Sequence, residues 1–242
     1  MRNEKNNDVS MKRLVVLTGA GMSAESGFST FRDNDGLWEK YNIEDVCTPR
    51  ALVINLEMVL EFYNGLRRTL ENAKPNRGHK LLAELEQWYD VQIITQNVDD
   101  LHERAGSTNV LHLHGELTKA CDMSKLAVKN IGYDPIRVGD TINGSQARPY
   151  IVFFEEDVPL FSKAVGIVRQ ADIFVVIGTS LNVYPAAGLI NYVPQNVPIY
   201  IIDPKPVNSH RDVICIQKVA TDGCAEMKDI LLKKRINYPL VK

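Results

Sequence analysis

No two cysteines stand as a C-x-x-C pair: Cys47, Cys121, Cys215 and Cys224 are scattered through 242 residues. That spacing argues against a disulfide framework and a cysteine-rich metal site, and the expectation is core or surface thiols. Long apolar runs are missing too. Segments such as IFVVIGTSL fall far short of the roughly 20 residues that span a bilayer. The opening MRNEKNNDVS is polar, so neither a membrane span nor a leader is expected, and the expected location is the cytoplasm. Nor does one sign of charge prevail: 28 Lys plus Arg face 30 Asp plus Glu, a net charge of -2. No general attraction to nucleic acid or anionic lipid follows from that balance. There is no internal repeat and no low-complexity linker. What is present is an ordinary globular composition, 45% hydrophobic and 24% charged, long enough for one large domain with at most a small insert.

Four segments read as short, nearly continuous apolar strands: RLVVLTG (13–19), VQIITQN (91–97), DIFVVIGTS (172–180) and PIYIIDP (198–204). Such runs suit parallel strands buried on both faces. Between them, residues 51–70 and 79–88 repeat apolar positions at three and four, as helices do. Strand and helix alternate, so the fold class is α/β with a doubly wound parallel sheet. Two stretches interrupt the alternation. Residues 28–48 read as a mobile loop over a ligand or as a solvated loop, and residues 118–149 as a small inserted module or again as a loop.

The first strand runs into GAGMSAESG, where Gly19, Gly21 and Ala24 form G-x-G-x-x-A before a helical start. Glycines there allow a tight turn and close approach of phosphate to backbone N–H groups. An ordinary dinucleotide fold places an acidic residue about 20 positions on. This chain instead delays its next strand to residue 91 and ends it in Gln96, Asn97, Val98 and Asp99, where open α/β sheets bind ligands. In VLHLHGEL, His112 and His114 alternate with apolar neighbours on one face of a strand. Each is a candidate base, a core histidine or half of a metal pair lacking a third ligand. Gly178, Thr179 and Ser180 close another strand and suit phosphate or ribose contacts, while Asp203 can receive ribose hydroxyls or cap a turn.

Together, GAGMSAESGFSTFRDNDGLW, TQNVDDLHERAG, LHLHGEL, GTSLNVYPAAG and IIDPKP resemble, in order and spacing, the sirtuins, the NAD-dependent protein-lysine deacylases. The resemblance covers about residues 13–233 and is greatest to compact bacterial members. It implies a Rossmann-like core over about 10–27, 75–115 and 150–235, a cofactor loop over 28–48, and small-domain segments over 49–74 and 116–149. It also implies NAD as cofactor, acyl-lysine proteins or peptides as partners, and a monomer that binds neither nucleic acid nor membrane. By it, His114 is the general base that activates a ribose hydroxyl, and the products are free lysine, nicotinamide and O-acyl-ADP-ribose. Gly19, Ala20, Gly21, Ser23, Ala24 and Glu25 fall in the phosphate turn, and Phe31, Arg32 and Trp38 in the cofactor loop, where packing is the other reading of Trp38. Gln96, Asn97, Val98 and Asp99 fall in the nicotinamide and ribose pocket, with Asn97 and Asp99 beside His114 in the catalytic set. Gly178, Thr179, Ser180 and Asn182 fall on the phosphate side, and Asp203 with Ala220 at the adenosine end.

Three departures accompany the resemblance. Most sirtuins carry two C-x-x-C pairs binding a structural zinc, but residues 115–149 hold only Cys121, and Ser124 stands where its partner would be. No structural metal is therefore expected, and packing alone should hold the small domain. Relatives that remove succinyl groups carry Tyr-x-x-Arg, whereas Tyr63 here is followed by Leu66, with Arg67 one position later on the same helix face. Neutral acyl groups are expected over succinyl, with partial compensation by Arg67 open. Lastly, RPYIVFFEEDVP resembles the strand that pairs with substrate peptide, so Val152, Phe154 and Glu155 join Tyr63 and Arg67 as substrate candidates. Glu155 stands where the family has glycine. An ADP-ribosyltransferase or NAD glycohydrolase, or a non-catalytic NAD or ADP-ribose binding module, is the alternative to a deacylase.

Overall fold

The computed structural model describes residues 11–28 and 42–237; Phe31, Arg32 and Trp38 lie outside the described residues. Along the chain run β1 (Arg13–Thr18), β2 (Asp90–Thr95), β3 (Val110–His112), β4 (Gly115–Cys121), β5 (Val128–Asn130), β6 (Thr141–Ile142), β7 (Ser145–Gln146), β8 (Arg148–Ile151), β9 (Ile173–Ile177), β10 (Ile199–Ile202) and β11 (Ile214–Ile216). Six of them form one parallel sheet in the order β11-β10-β9-β1-β2-β3. The chain runs outward to β2 and β3 on one side of β1 and to β9, β10 and β11 on the other. The order therefore reverses between β1 and β9, which is where such sheets open a ligand crevice at their carboxyl ends.

The β1 strand shows why the run is apolar throughout. Leu14 and Val16 pack with Val175, Ile177, Leu82 and Met227 on one face, and Val15 and Leu17 with Phe174, Val176 and Leu189 on the other. Alternate side chains meet two different cores, so neither face is polar. The helices covering the first face are α4 (Arg77–Leu85) and α7 (Ala220–Asn237); α6 (Phe161–Val168) covers the second. The remaining helices are α1 (Ile43–Val46), α2 (Pro49–Ile54), α3 (Leu56–Asn72) and α5 (Leu101–Arg104).

The helix expected over 51–70 is two helices. Thr48 starts the first, its Oγ1 accepting from Ala51 N at 3.2 Å with Pro49 in the opening turn, and Asn55 ends it at φ -127° and ψ 40°. Asparagine readily leaves helical geometry, and the new helix axis turns the face of α3 toward the small module. Residues 118–149 are a module of antiparallel strands, β5-β4-β8, with the β6-β7 hairpin beside them. Asn143 and Gly144, both at positive φ (51° and 76°), make the hairpin turn. Leu60 of α3 packs against Ala120, Ile136 and Ala147 to give the module its own small core.

Candidate active site

Past β1 the chain turns through Gly19, whose N–H donates to Ile177 O at 3.0 Å, and Gly21, whose N–H donates to Gly178 O at 2.9 Å. A Cβ on Gly21 would lie 2.7 Å from Gly178 Cα, and one on Gly178 would lie 2.4 Å from Met22 N. Gly178 also holds φ at 62°. The glycines thus let two backbone turns knit together over the β1/β9 reversal. Two expectations change here. The helical start is a pair of three-residue 3-10 turns, Ala20–Met22 and Ala24–Ser26, too short to carry much of a macrodipole, and the N–H groups of Gly19 and Gly21 are spent within the protein.

This seam floors a cleft of about 570 Å³ that is lined by Gly19, Ala20, Gly21, Ala24, Glu25, Gln96, Asn97, Val98, His114, Gly178, Thr179, Ser180 and Asn182. Asp203 and Ala220 line one end, and Cys47, Tyr63, Val152, Phe153, Phe154 and Glu155 the other. Asp203 Oδ1 accepts from Lys205 N at 2.9 Å, so that carboxylate both caps its turn and faces the cleft. Glu25 accepts from the N–H and Oγ1 of Thr221, tying the glycine turn to the start of α7 beside Ala220.

Asn97 fixes the seam from below: its Nδ2 donates to Gly19 O at 3.0 Å and to Ser23 Oγ at 3.2 Å. Ser23 Oγ in turn donates to Asp99 Oδ2 at 2.9 Å, and Leu101 N donates to Asp99 Oδ1. Neither Ser23 nor Asp99 lines the cleft; both lie buried behind it. Burial pushes the Asp99 carboxyl up to about 6, against the pull of those two hydrogen bonds.

The two histidines part company. His112 Nδ1 lies 3.0 Å from Asn97 O and its Nε2 2.8 Å from Glu103 Oε1, so both nitrogens face acceptors. Burial is the largest single influence and lowers its pKa, but the hydrogen bond and charge of Glu103, with Glu116 and the Asn97 carbonyl, together outweigh it and raise the pKa above its ordinary value. His112 therefore serves structure, with no nitrogen left for a metal. His114 lies just beyond β3, and its Nδ1 is 3.0 Å from Gln96 O. A carbonyl only accepts, so Nδ1 carries the proton and Nε2 keeps a free lone pair. Burial lowers the His114 pKa more than that hydrogen bond raises it, leaving the imidazole neutral near pH 7.

At the other end, Val152 N donates to His114 O at 2.9 Å and Phe154 N to Cys47 O at 3.0 Å. Glu155, the next residue, is held at φ 72°, a left-handed conformation that glycine adopts freely and glutamate does not. Tyr63 donates its hydroxyl to Cys47 Sγ at 3.2 Å. Arg67 does not line the cleft. It is fully buried, its Nε bonded to Leu117 O at 2.7 Å and its Nη1 to Asn64 Oδ1 at 2.8 Å, and burial lowers its pKa to about 10. Its pairing with substrate, left open by sequence, is thus corrected: the guanidinium is drawn to a backbone carbonyl of the small module.

Sequence reading passed over Cys47, Phe153 and Glu156, all of which line the cleft. Nothing local marks Cys47, which comes into place only because α1 and α2 fold against Tyr63. The Glu-Glu pair at 155–156 was a signal, read only for its first member. Among the described residues no group of three or more His, Cys, Asp or Glu side chains is placed to hold a metal ion. Cys121 is buried, its thiol 3.8 Å from Pro149 O. Nor is any helix among the described residues long and apolar enough to cross a membrane.

The model of the Sir2 family matches residues 19–185. An NAD-dependent protein deacylase of Bacteroides thetaiotaomicron is 53% identical over 232 residues, covering 92% of this chain and 99% of that protein. One from Aggregatibacter actinomycetemcomitans is 59% identical over 79% of this chain and 93% of its own length. Among solved structures, a Sir2 homologue mutant in complex with ADP-ribose superposes with a TM-score of 0.86 at 37% identity, covering 96% of each chain. A Sir2 homologue bound to NAD gives 0.82 at 38% identity over 93% of this chain and 91% of that one. The glycine seam over the strand reversal and the free imidazole facing it are therefore features of a chain that belongs to the Sir2 family.

Proposed function

We propose that this protein is an NAD-dependent protein-lysine deacylase in which His114 is the general base. One observation carries the reading: of the two histidines in LHLHG, only His114 faces the cleft, with Nδ1–H fixed on Gln96 O and a neutral Nε2 free to take a proton. A base with that tautomer and a pKa lowered by burial from its ordinary value is ready at neutral pH.

The cleft fits the cofactor in size and chemistry. Asp203 offers a carboxylate for hydroxyls at one end, the Gly19–Gly21 and Gly178–Ser180 turns allow close approach of backbone in the middle, and Asn97 fixes their seam. When bound, NAD supplies the ribose carbon that accepts the acyl oxygen as nicotinamide departs. The chain's own work is to hold and to move a proton. Nε2 of His114 takes the proton of a ribose hydroxyl, Gln96 O steadies the resulting imidazolium through Nδ1, and the apolar walls Val98, Val152 and Phe153 exclude water. Acyl-lysine reaches His114 along Val152–Glu155. Deacylation yielding O-acyl-ADP-ribose is favoured over hydrolysis or transfer of ADP-ribose because those reactions need not use the ribose hydroxyl that His114 activates.

The acyl end favours neutral chains. Tyr63 and Phe153 are its aromatic walls, Leu66 is buried, and Arg67 is turned away. A succinyl tail meets no guanidinium lining that end and faces Glu155 instead. Mass spectrometry of acetyl-, longer-acyl- and succinyl-lysine peptides, with and without NAD, tests the reading against a His114→Ala control. NAD-dependent loss of neutral acyl groups with O-acyl-ADP-ribose formed, both absent in the control, is expected. Nicotinamide release without deacylation overturns it.

A further inference from the structure

Behind the acyl end lies a stack that takes no part in proton transfer. The guanidinium carbon of Arg148 sits 4.4 Å from the centroid of the Phe153 ring, and that ring lies 5.6 Å from Tyr63 with the two planes only 11° apart. Cation, phenyl and phenol form three layers, the last two being walls of the cleft. Glu156 holds the stack together. Its Oε1 accepts from Arg148 Nη1 at 2.8 Å, and its Oε2 accepts from Arg148 Nη2 at 3.3 Å, from Phe153 N at 2.7 Å and from Lys125 Nζ. Arg148 Nη2 also reaches Ile151 O at 3.2 Å. The carboxylate therefore fixes Phe153 twice, through its backbone N–H and through the cation on its ring. The Arg148 side chain is 3% exposed, so this charge is retained in the interior at a desolvation cost.

Resting on the deacylase reading, we propose that the Arg148–Glu156 ion pair is a positioning pair that sets the width of the acyl end and so decides which neutral acyl chains are accepted. Glu156 acts through Phe153 and Tyr63. Lys125, from the turn between β4 and β5, joins the pair from the small module, so the module's seating is read out in the same walls.

The test compares Glu156→Gln, Arg148→Lys and Lys125→Met with the parent. Two quantities are ranked over acetyl-, butyryl- and octanoyl-lysine peptides: affinity without NAD, by fluorescence anisotropy, and kcat/KM with NAD. Glu156→Gln is expected to weaken the best peptide about tenfold, the effect of one or two lost positioned hydrogen bonds, and to flatten the ranking, while KM for NAD stays within about twofold. Arg148→Lys keeps the charge but loses the planar stack, and should flatten the ranking with less loss of affinity. If Glu156→Gln does not fold, Lys125→Met decides, with a shift of about threefold in the same direction expected. A folded variant with the parental ranking, or a loss confined to NAD, overturns the proposal. Absence of turnover by the parent would sink the deacylase reading instead, and the affinity ranking would still judge the pair.

Discussion

Gln96 O decides which nitrogen of His114 keeps its lone pair, and a single carbonyl thereby sets it apart from His112, two positions away, whose two nitrogens both face acceptors. The same economy governs Glu155. Held at φ 72°, it bears a left-handed cost of about 1–2 kcal/mol that glycine avoids, less the roughly 0.5–1 kcal/mol of extra chain entropy glycine loses on folding. Glu155→Gly should therefore stabilise the protein by about 0.5–1 kcal/mol and raise Tm by about 1–4 °C. A Tm below the parent's in differential scanning calorimetry would contradict this. Both histidines and Glu155 were visible in sequence as positions of interest. The family resemblance singled out His114, but alternation alone did not, because it places both alike and only Glu103 and Gln96, brought up by folding, tell them apart.

Element boundaries follow hydrogen bonding more than hydropathy. The strand expected over 172–180 ends at Ile177, since Gly178 turns to φ 62° and gives its N–H to Ile202 O. Gly178→Ala adds a methyl 2.4 Å from Met22 N at a positive φ, and is expected to cost about 3 kcal/mol or more, measured by urea unfolding. Loss of under 1 kcal/mol would mean the seam is loose. The small module was barely legible: β5 is exposed along its length and β6 and β7 have two residues each, so no periodicity develops. Its β4–β5 turn is held by polar contacts as well as packing, with Asp122 accepting from Ser124 Oγ at 2.6 Å and from Ala127 N at 3.0 Å. A chelator is accordingly expected to leave Tm unchanged, and stoichiometric zinc by elemental analysis would contradict that.

Across the whole molecule, the parallel core was legible because β1, β9 and β10 are buried on both faces along nearly unbroken apolar runs, and β2 carries only Gln92 within its run. That core also carries buried titratable groups of opposing effect. His79 is wholly buried, and burial lowers its pKa to about 4, so its contribution is complete above pH 6.5 and is lost as pH falls toward 4. The rings of His79 and His102 lie 4.8 Å apart, and burial lowers His102 as well. Asp99, raised to about 6, acts in the other direction: its contribution is complete below about pH 4 and is lost as pH rises through 6. Between pH 4 and 6 the two slopes oppose each other, each worth on the order of 3 kcal/mol. Asp99→Asn removes one of them. Urea unfolding of that variant should show stability falling more steeply with acid than in the parent, and parallel profiles would contradict the assignment.

The central claim is that one neutral imidazole, His114, carries the proton transfer of deacylation. It is tested most directly by kcat/KM for a single acetyl-lysine peptide from pH 5 to 9, in the parent and in His114→Ala. The parent should lose activity as pH falls through a single ionisation below 6.5, because protonation fills the free Nε2. His114→Ala should fall by about 10²–10⁴ and lose that inflection. A variant that keeps the parental rate, or the same acid limb, would contradict the account.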